Sequence, residues 1–311
     1  MKLWKRLLAA LLCAVLLSTC ALAGEISPNK VCELTVQCKH KAEGVTFAIW
    51  RVAKVNEDVR FTKIDQFKEA RVNVNDFDNW DDAAETLAGF VASRGIEPLE
   101  MDDTNSQGKA FFDTLKTGLY LVVGESYTYN GKTYEQYPFL VALPTRSDNT
   151  KPWDYDVIAT QKAVERVEPP AEKVEVSVTK IWSGDDDSLV RPVSITVYLL
   201  CDGAVYDSVT LNRRNNWTYI WQGLPADHLW RVSEAQVPQD YTVLVHRNGN
   251  DFVIVNTYDK PEEYEEIPDD DVPLDKPKLP ETGTLQWIVP LLLGAGAVLF
   301  LLGLLRRRRE G

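Results

Sequence analysis

The spacing of hydrophobic and polar positions changes character several times along the chain. Leu34, Val36 and Cys38 alternate with polar neighbours, and Val45 to Val52 is a second alternating run, the period of a half-buried strand. Between Asp81 and Gly95 the period lengthens. Ala84, Leu87, Ala88 and Val91 fall on one face of a helix, and Gly95 stands where such a helix would stop. Strand signals return at Gly118 to Val123, Pro138 to Pro144 and Tyr155 to Ala159. Beyond a charged stretch containing Pro169-Pro170 come further short runs, at Val174–Trp182, Ser194–Leu200, Ala204–Leu211, Trp217–Trp221, Leu229–Glu234, Thr242–His246 and Phe252–Val255. Short strands separated by turn residues predict a mainly all-β chain of two Ig-like β-sandwiches in tandem. The first carries a short helical insertion and the second needs no helix.

Two unbroken apolar runs frame this body. The first, Leu7 to Leu17, follows the basic residues Lys2, Lys5 and Arg6 and precedes Ala21-Leu22-Ala23. That is the layout of a secretory signal, with cleavage expected between Ala23 and Gly24. Lipoprotein processing at Cys20 is the rival reading. The second run, Leu285 to Leu305, holds 21 residues without a charge and is followed by Arg306-Arg307-Arg308-Arg309. It is long enough to cross a hydrocarbon core of about 30 Å as a transmembrane helix, with the arginines holding its end in the cytoplasm. Residues 259–278, with Pro261, Pro268, Pro273, Pro277 and many acids, read as an extended stalk without a core. The expected organisation is therefore a signal at 1–23, a first sandwich at 24–165, a linker at 166–172, a second sandwich at 173–258, the stalk at 259–278 and a terminal segment at 279–311.

The precursor carries a formal charge of −12, and losing its two basic ends makes it more acidic still. So acidic a body, with no basic stripe, excludes nucleic acid as a partner. Three cysteines remain after processing: Cys32, Cys38 and Cys201. Cys32 and Cys38 share one extended run and stand too far apart to bridge, so no disulfide framework is expected. The three histidines lie near no cysteine pair, so neither metal nor cofactor is expected. No Ser-His-Asp pattern, paired catalytic carboxylates or phosphate loop stands out, and the chain does not read as an enzyme.

Leu279-Pro280-Glu281-Thr282-Gly283, the apolar span and the basic tail together resemble the cell-wall sorting signal of Gram-positive surface proteins. The resemblance implies that a sortase cuts between Thr282 and Gly283 and passes the Thr carbonyl to an amine of a peptidoglycan precursor or another protein. The membrane would then be met only through the precursor's C-terminal span.

Three segments of the second region carry another resemblance: Val176-Ser177-Val178-Thr179-Lys180-Ile181-Trp182, Trp230 to Tyr241, and Phe252-Val253-Ile254-Val255-Asn256-Thr257-Tyr258. They resemble the Cna-B family, the repeats of Gram-positive adhesins and pilins. The family resemblance implies a spontaneous isopeptide bond between Lys180 and Asn256, with Glu234 as its catalytic acid. The residue chemistry agrees. Alternation turns Lys180 to the side of Val174, Val176 and Val178, so it faces the core. Burial there favours a neutral amine and a protonated carboxyl. The bland reading is two solvated strand residues and a turn asparagine. Trp182 and Trp230 read as core packing.

Phe47-Ala48-Ile49-Trp50, Gly118 to Val122, Pro138 to Pro144 and Trp153 to Val157 resemble, more weakly, the N-terminal domain of Gram-positive pilin subunits. No second isopeptide bond is expected there. The lysine position falls on Cys38 and the glutamate position on Gly124, and Val157 to Gln161 lacks the asparagine. Lys39 and Glu125, one residue away, would restore the set after a register shift. Trp153, Val157 and Lys162 keep the spacing of the motif whose lysine joins pilin subunits, but Ala159, Thr160 and Gln161 depart from it. Lys162 is either that polymerising lysine or a solvated lysine before the linker. The whole resembles a two-domain minor pilin, with other pilin subunits as partners. The alternative is a stand-alone wall-anchored adhesin whose first domain binds a host or neighbour-cell ligand.

Overall fold

The computed structural model describes residues 25–147, 151–166, 173–185 and 191–259. The expected signal with Ala23 and Gly24, the motif Leu279–Gly283 and the apolar span lie outside them.

Among the described residues, eighteen strands and one α-helix follow in order: β1 (Cys32–Gln37), β2 (Thr46–Val55), β3 (Phe61–Lys63), α1 (Trp80–Arg94), β4 (Glu100–Asp103), β5 (Lys109–Leu115), β6 (Gly118–Gly124), β7 (Tyr127–Tyr129), β8 (Lys132–Gln136), β9 (Phe139–Leu143), β10 (Asp156–Thr160), β11 (Ala163–Glu165), β12 (Lys173–Ser183), β13 (Ser194–Cys201), β14 (Ala204–Asn212), β15 (Thr218–Pro225), β16 (Trp230–Glu234), β17 (Tyr241–Asn248) and β18 (Asp251–Tyr258). The fold is mainly β, of Ig type, as the alternation predicts. In the first sandwich a sheet β10-β1-β5 faces a sheet β3-β2-β6-β9, with β4 added to β2. Leu34, Val36, Phe47, Ile49, Phe112, Tyr120 and Val122 fill the space between, together with the free thiols of Cys32 and Cys38. In the second sandwich β15-β12-β18-β17 faces β14-β13-β16.

Several first-sandwich strands exceed the sequence expectation. Tyr127–Tyr129 and Lys132–Gln136 form a hairpin around Asn130 and Gly131, at φ 51° and 74°. Positive φ at both turn positions is what a two-residue hairpin matching the strand twist requires. Ala163–Glu165, at the end of the stretch expected for the first sandwich, pairs antiparallel with β8 as a third strand of that small sheet.

Helix α1 forms where the longer period predicts it. Asp81 and Asp82 stand in its first turn, and Gly95 at φ 60° ends it, its N–H reaching the carbonyl of Ala92. Its burial is the surprise. Besides Ala84, Leu87, Ala88 and Val91, the helix buries Glu85, Thr86 and Gly89. That other face lies against the second sandwich. Gly89 approaches β16 so closely that a Cβ there would sit 2.7 Å from the Val232 carbonyl oxygen. The Val245 N–H donates to Thr86 Oγ1 at 2.8 Å, the Val243 N–H to the Arg71 carbonyl at 3.0 Å, and Ser93 Oγ lies 3.1 Å from Ser233 Oγ. β16 and β17 are edge strands, and α1 with its preceding loop covers the open seam between them, taking up groups an edge otherwise leaves bare. Glu85 and Arg231 form a buried ion pair across this contact, and Arg247 pairs with Glu135 nearby. One apolar cluster consequently runs from Val52, Leu119 and Leu140 through the helix to Val178, Val197, Val232 and Ile254.

Candidate functional site

Lys180, Glu234 and Asn256 meet inside the second sandwich. β12 and β18 run parallel, with Lys180 opposite Ile254 and Trp182 opposite Asn256. Alternation buries Val176, Val178 and Lys180 on one strand and Phe252, Ile254 and Asn256 on the other. Lysine and asparagine are thus the last inward positions of their runs, two residues out of step on one face. Glu234 ends β16 in the opposite sheet, paired with Val197, and reaches across from there.

The site is dry. The Lys180 and Glu234 side chains are 0% and 1% exposed, and Asn256 is 0% exposed. Lys180 Nζ lies 4.0 Å from Glu234 Oε2. It donates to the carbonyl of Ile181 at 3.0 Å and that of Ile254 at 3.4 Å, and sits 4.3 Å from the Trp182 ring centroid. Asn256 Nδ2 donates to Glu234 Oε1 at 3.1 Å. Glu234 Oε2 and Asn256 Oδ1 are buried without a hydrogen-bond partner among the described residues. Such groups are uncommon in a folded interior and ask for an explanation. Burial lowers the Lys180 ammonium to about 7, against the raising effect of the Glu234 carboxylate. Burial raises Glu234 to about 7, against the lowering effects of Lys180 and the Asn256 amide. Near neutrality both groups therefore have access to their uncharged forms, a nucleophilic amine and a carboxylic acid.

The surroundings include residues that the strand pattern did not single out for this site. Trp182, expected as core, is half-buried, stacking edge-on against Trp217 and Tyr241 while its face meets the lysine. The Tyr241 hydroxyl donates to Asp185 Oδ2 at 2.5 Å. Trp230, also expected as core, is 1% exposed.

The first sandwich assembles no such set at the corresponding place. Cys38 is buried, Lys39 points outward and donates to the Ala163 carbonyl at 3.1 Å, and Glu125 is exposed. At Gly124 the missing side chain is replaced by Phe47 and Gln136, and buried Gln161 donates to the Tyr137 carbonyl at 2.5 Å. Lys162 stands on the surface between β10 and β11, its side chain 76% exposed and 3.1 Å from Asp81 Oδ2 at the start of α1.

Residues 176–257 match the profile of the Cna protein B-type domain. A collagen adhesin of Staphylococcus aureus is 25% identical over 158 residues, which are 50% of this chain and 13% of that protein. The chain thus spans about an eighth of that relative's length. Among solved structures, a single B repeat unit of the collagen binding surface protein of Staphylococcus aureus aligns with 74% of this chain and 98% of its own, at 17% identity and a TM-score of 0.27. The full-length major pilin SpaD of Corynebacterium diphtheriae aligns over 75% and 65%, at 17% identity and a TM-score of 0.30. The matched profile encloses Lys180, Glu234 and Asn256: the second sandwich is a Cna protein B-type domain.

Proposed function

We propose that this chain is a structural subunit of the Gram-positive cell surface, exported, joined by a sortase through Thr282 to peptidoglycan or to a pilus, and braced by a Lys180–Asn256 isopeptide bond. The reading of the second sandwich rests on one observation above all: a lysine, a glutamate and an asparagine buried together with polar atoms left unpaired. In the reaction, neutral Lys180 Nζ attacks Asn256 Cγ. The new C–N bond replaces the bond to Nδ2, which leaves as ammonia after taking the displaced proton. A half-turn of the Asn256 amide sets its oxygen toward Glu234, whose acid proton then polarises the carbonyl, and Glu234 shuttles the proton to the leaving nitrogen. The product is a neutral amide, which removes the cost of holding the ionisable Lys180 amine in a dry core, while Glu234 stays beside it as an acid. Glu234 acts once on its own chain, so the protein is no enzyme in the turnover sense.

Bond formation in freshly refolded chain is expected to be fastest near pH 7. Below that, Lys180 takes up a proton and loses its lone pair; above it, Glu234 loses the proton it must donate. Mass spectra taken over time at about pH 5, pH 7 and pH 9 check this, and a rate still rising at the highest pH removes the acid role of Glu234.

The anchoring half of the reading rests on the Leu279–Gly283 motif with its apolar span and basic tail. High-molecular-weight ladders in cell-wall extracts are expected for a minor pilin, with loss of wall attachment on Thr282→Ala. If Lys162, exposed beside Asp81, accepts the next subunit, Lys162→Arg shortens the ladder while anchoring persists. An unchanged ladder makes Lys162 a surface lysine only.

One observation favours the adhesin alternative. The first sandwich has a cleft of about 640 Å³ lined by Phe61, Phe77, Trp80 and Trp153, with Arg146 stacked on Trp153. Saturable binding of a host or neighbour-cell ligand, without any covalent ladder, would carry that reading instead.

A further inference from the structure

Away from the lysine site, the β13–β14 turn and the β15–β16 loop bring three kinds of ligand atom to one spot. Cys201 ends β13, Asp202 follows it in the turn, and His228 closes the loop before β16. The thiol sulfur, a carboxylate oxygen and an imidazole nitrogen all lie within 4.8 Å of one another. His228 Nδ1 is 2.5 Å from Asp202 Oδ2, and Cys201 Sγ is 4.0 Å from the same oxygen.

Both segments are fastened from behind. Asp202 Oδ1 accepts the Leu229 N–H at 2.8 Å, and the Asp202 N–H donates to the Leu229 carbonyl at 3.0 Å. Arg166, just after β11, donates to the carbonyls of Ala226, Asp227 and His228 and so holds the loop in place. The guanidinium opposes a nearby cation, but its N–H groups are directed at those carbonyls. Asp202 and Asp227 supply negative charge, with Asp227 Oδ1 3.8 Å from His228 Nε2. The ligand types decide which ion fits. Thiolate plus imidazole plus carboxylate suits zinc and its neighbours in the transition series, whereas calcium and magnesium seek oxygen alone.

We infer that Cys201, Asp202 and His228 form a binding site for a zinc-like divalent transition metal. The ion displaces the thiol proton and the proton held between His228 and Asp202, releasing both to solvent. Once bound, it ties the β13–β14 turn to the β15–β16 loop beside the cleft that Asp202, Leu229 and Arg231 share with Ala88 and Ile96 of the first sandwich. The site is independent of the isopeptide reading.

The test is cobalt(II) titration of the full chain in detergent with its thiols kept reduced. Wild type is expected to develop a thiolate-to-cobalt absorption that saturates at one equivalent and disappears on adding zinc but not magnesium. Cys201→Ser should abolish it. His228→Gln, at a side chain 40% exposed, should weaken cobalt binding at least about tenfold without disturbing the core. Wild type lacking the absorption, absorption persisting in Cys201→Ser, or unchanged affinity in His228→Gln each overturns the site.

Discussion

The intact mass of residues 25–259 is expected to fall one ammonia short of its sequence, and that of Lys180→Ala and Glu234→Ala to match theirs. The two variants fail differently. Lys180→Ala removes the nucleophile; Glu234→Ala leaves nucleophile and carbonyl in place without the acid. A cross-link from residue 180 to residue 256 would restrict the unfolded chain as a long-loop disulfide does, by about 4 kcal/mol on the chain-entropy reckoning. Its loss should lower the melting temperature on the order of 10 °C in a body of this size. β12 and β18 lie side by side and open the way to the linker and the stalk, so the bond would also divert a pulling force away from most of the sandwich. Full sequence mass in the wild type would return the three residues to a buried polar cluster and the domain to an ordinary spacer.

Glu85→Ala is expected to cost about 3–5 kcal/mol, although Glu85 belongs to one sandwich and its partner Arg231 to the other. The Arg231 and Glu85 side chains are 5% and 6% exposed. Removing the carboxylate strands a guanidinium in the seam that α1 covers, where little water can replace the lost partner. Removing both charges is a different experiment. Glu85→Met with Arg231→Met fills the volume with apolar atoms and should be close to neutral, because the pair's attraction largely offsets its own desolvation. Chemical denaturation of the single and double variants measures both. A cost below about 1 kcal/mol for Glu85→Ala would mean that the seam opens in solution and water reaches Arg231.

Much of this was legible without coordinates. Strand alternation decides which way a side chain points, and that local rule carried Lys180 to the valine face. The runs Val174–Trp182 and Phe252–Val255 lie inside the strands that form. The helix was legible for the same reason, from Ala84, Leu87, Ala88 and Val91 and the stop at Gly95. The Asn130-Gly131 turn was also open to reading, since few residue pairs accept positive φ twice, yet the weakly apolar strands beside it hid the hairpin.

What the chain order alone determined, then, was the local geometry: periods, faces, turns and the two apolar ends. What only the tertiary structure decided was proximity. Nothing in the spacing of 180, 234 and 256 states that β12 and β18 pair in parallel while Glu234 reaches over from the facing sheet. Periodicity assigned α1 one buried face; the second sandwich buried the other, through Glu85, Thr86 and Gly89. Cys201 and His228 came together in the same way, across a turn and a loop. Local patterning reflects the preferences of neighbouring residues, whereas long-range contacts depend on how complete surfaces fit, and that fit is absent from any single stretch of sequence.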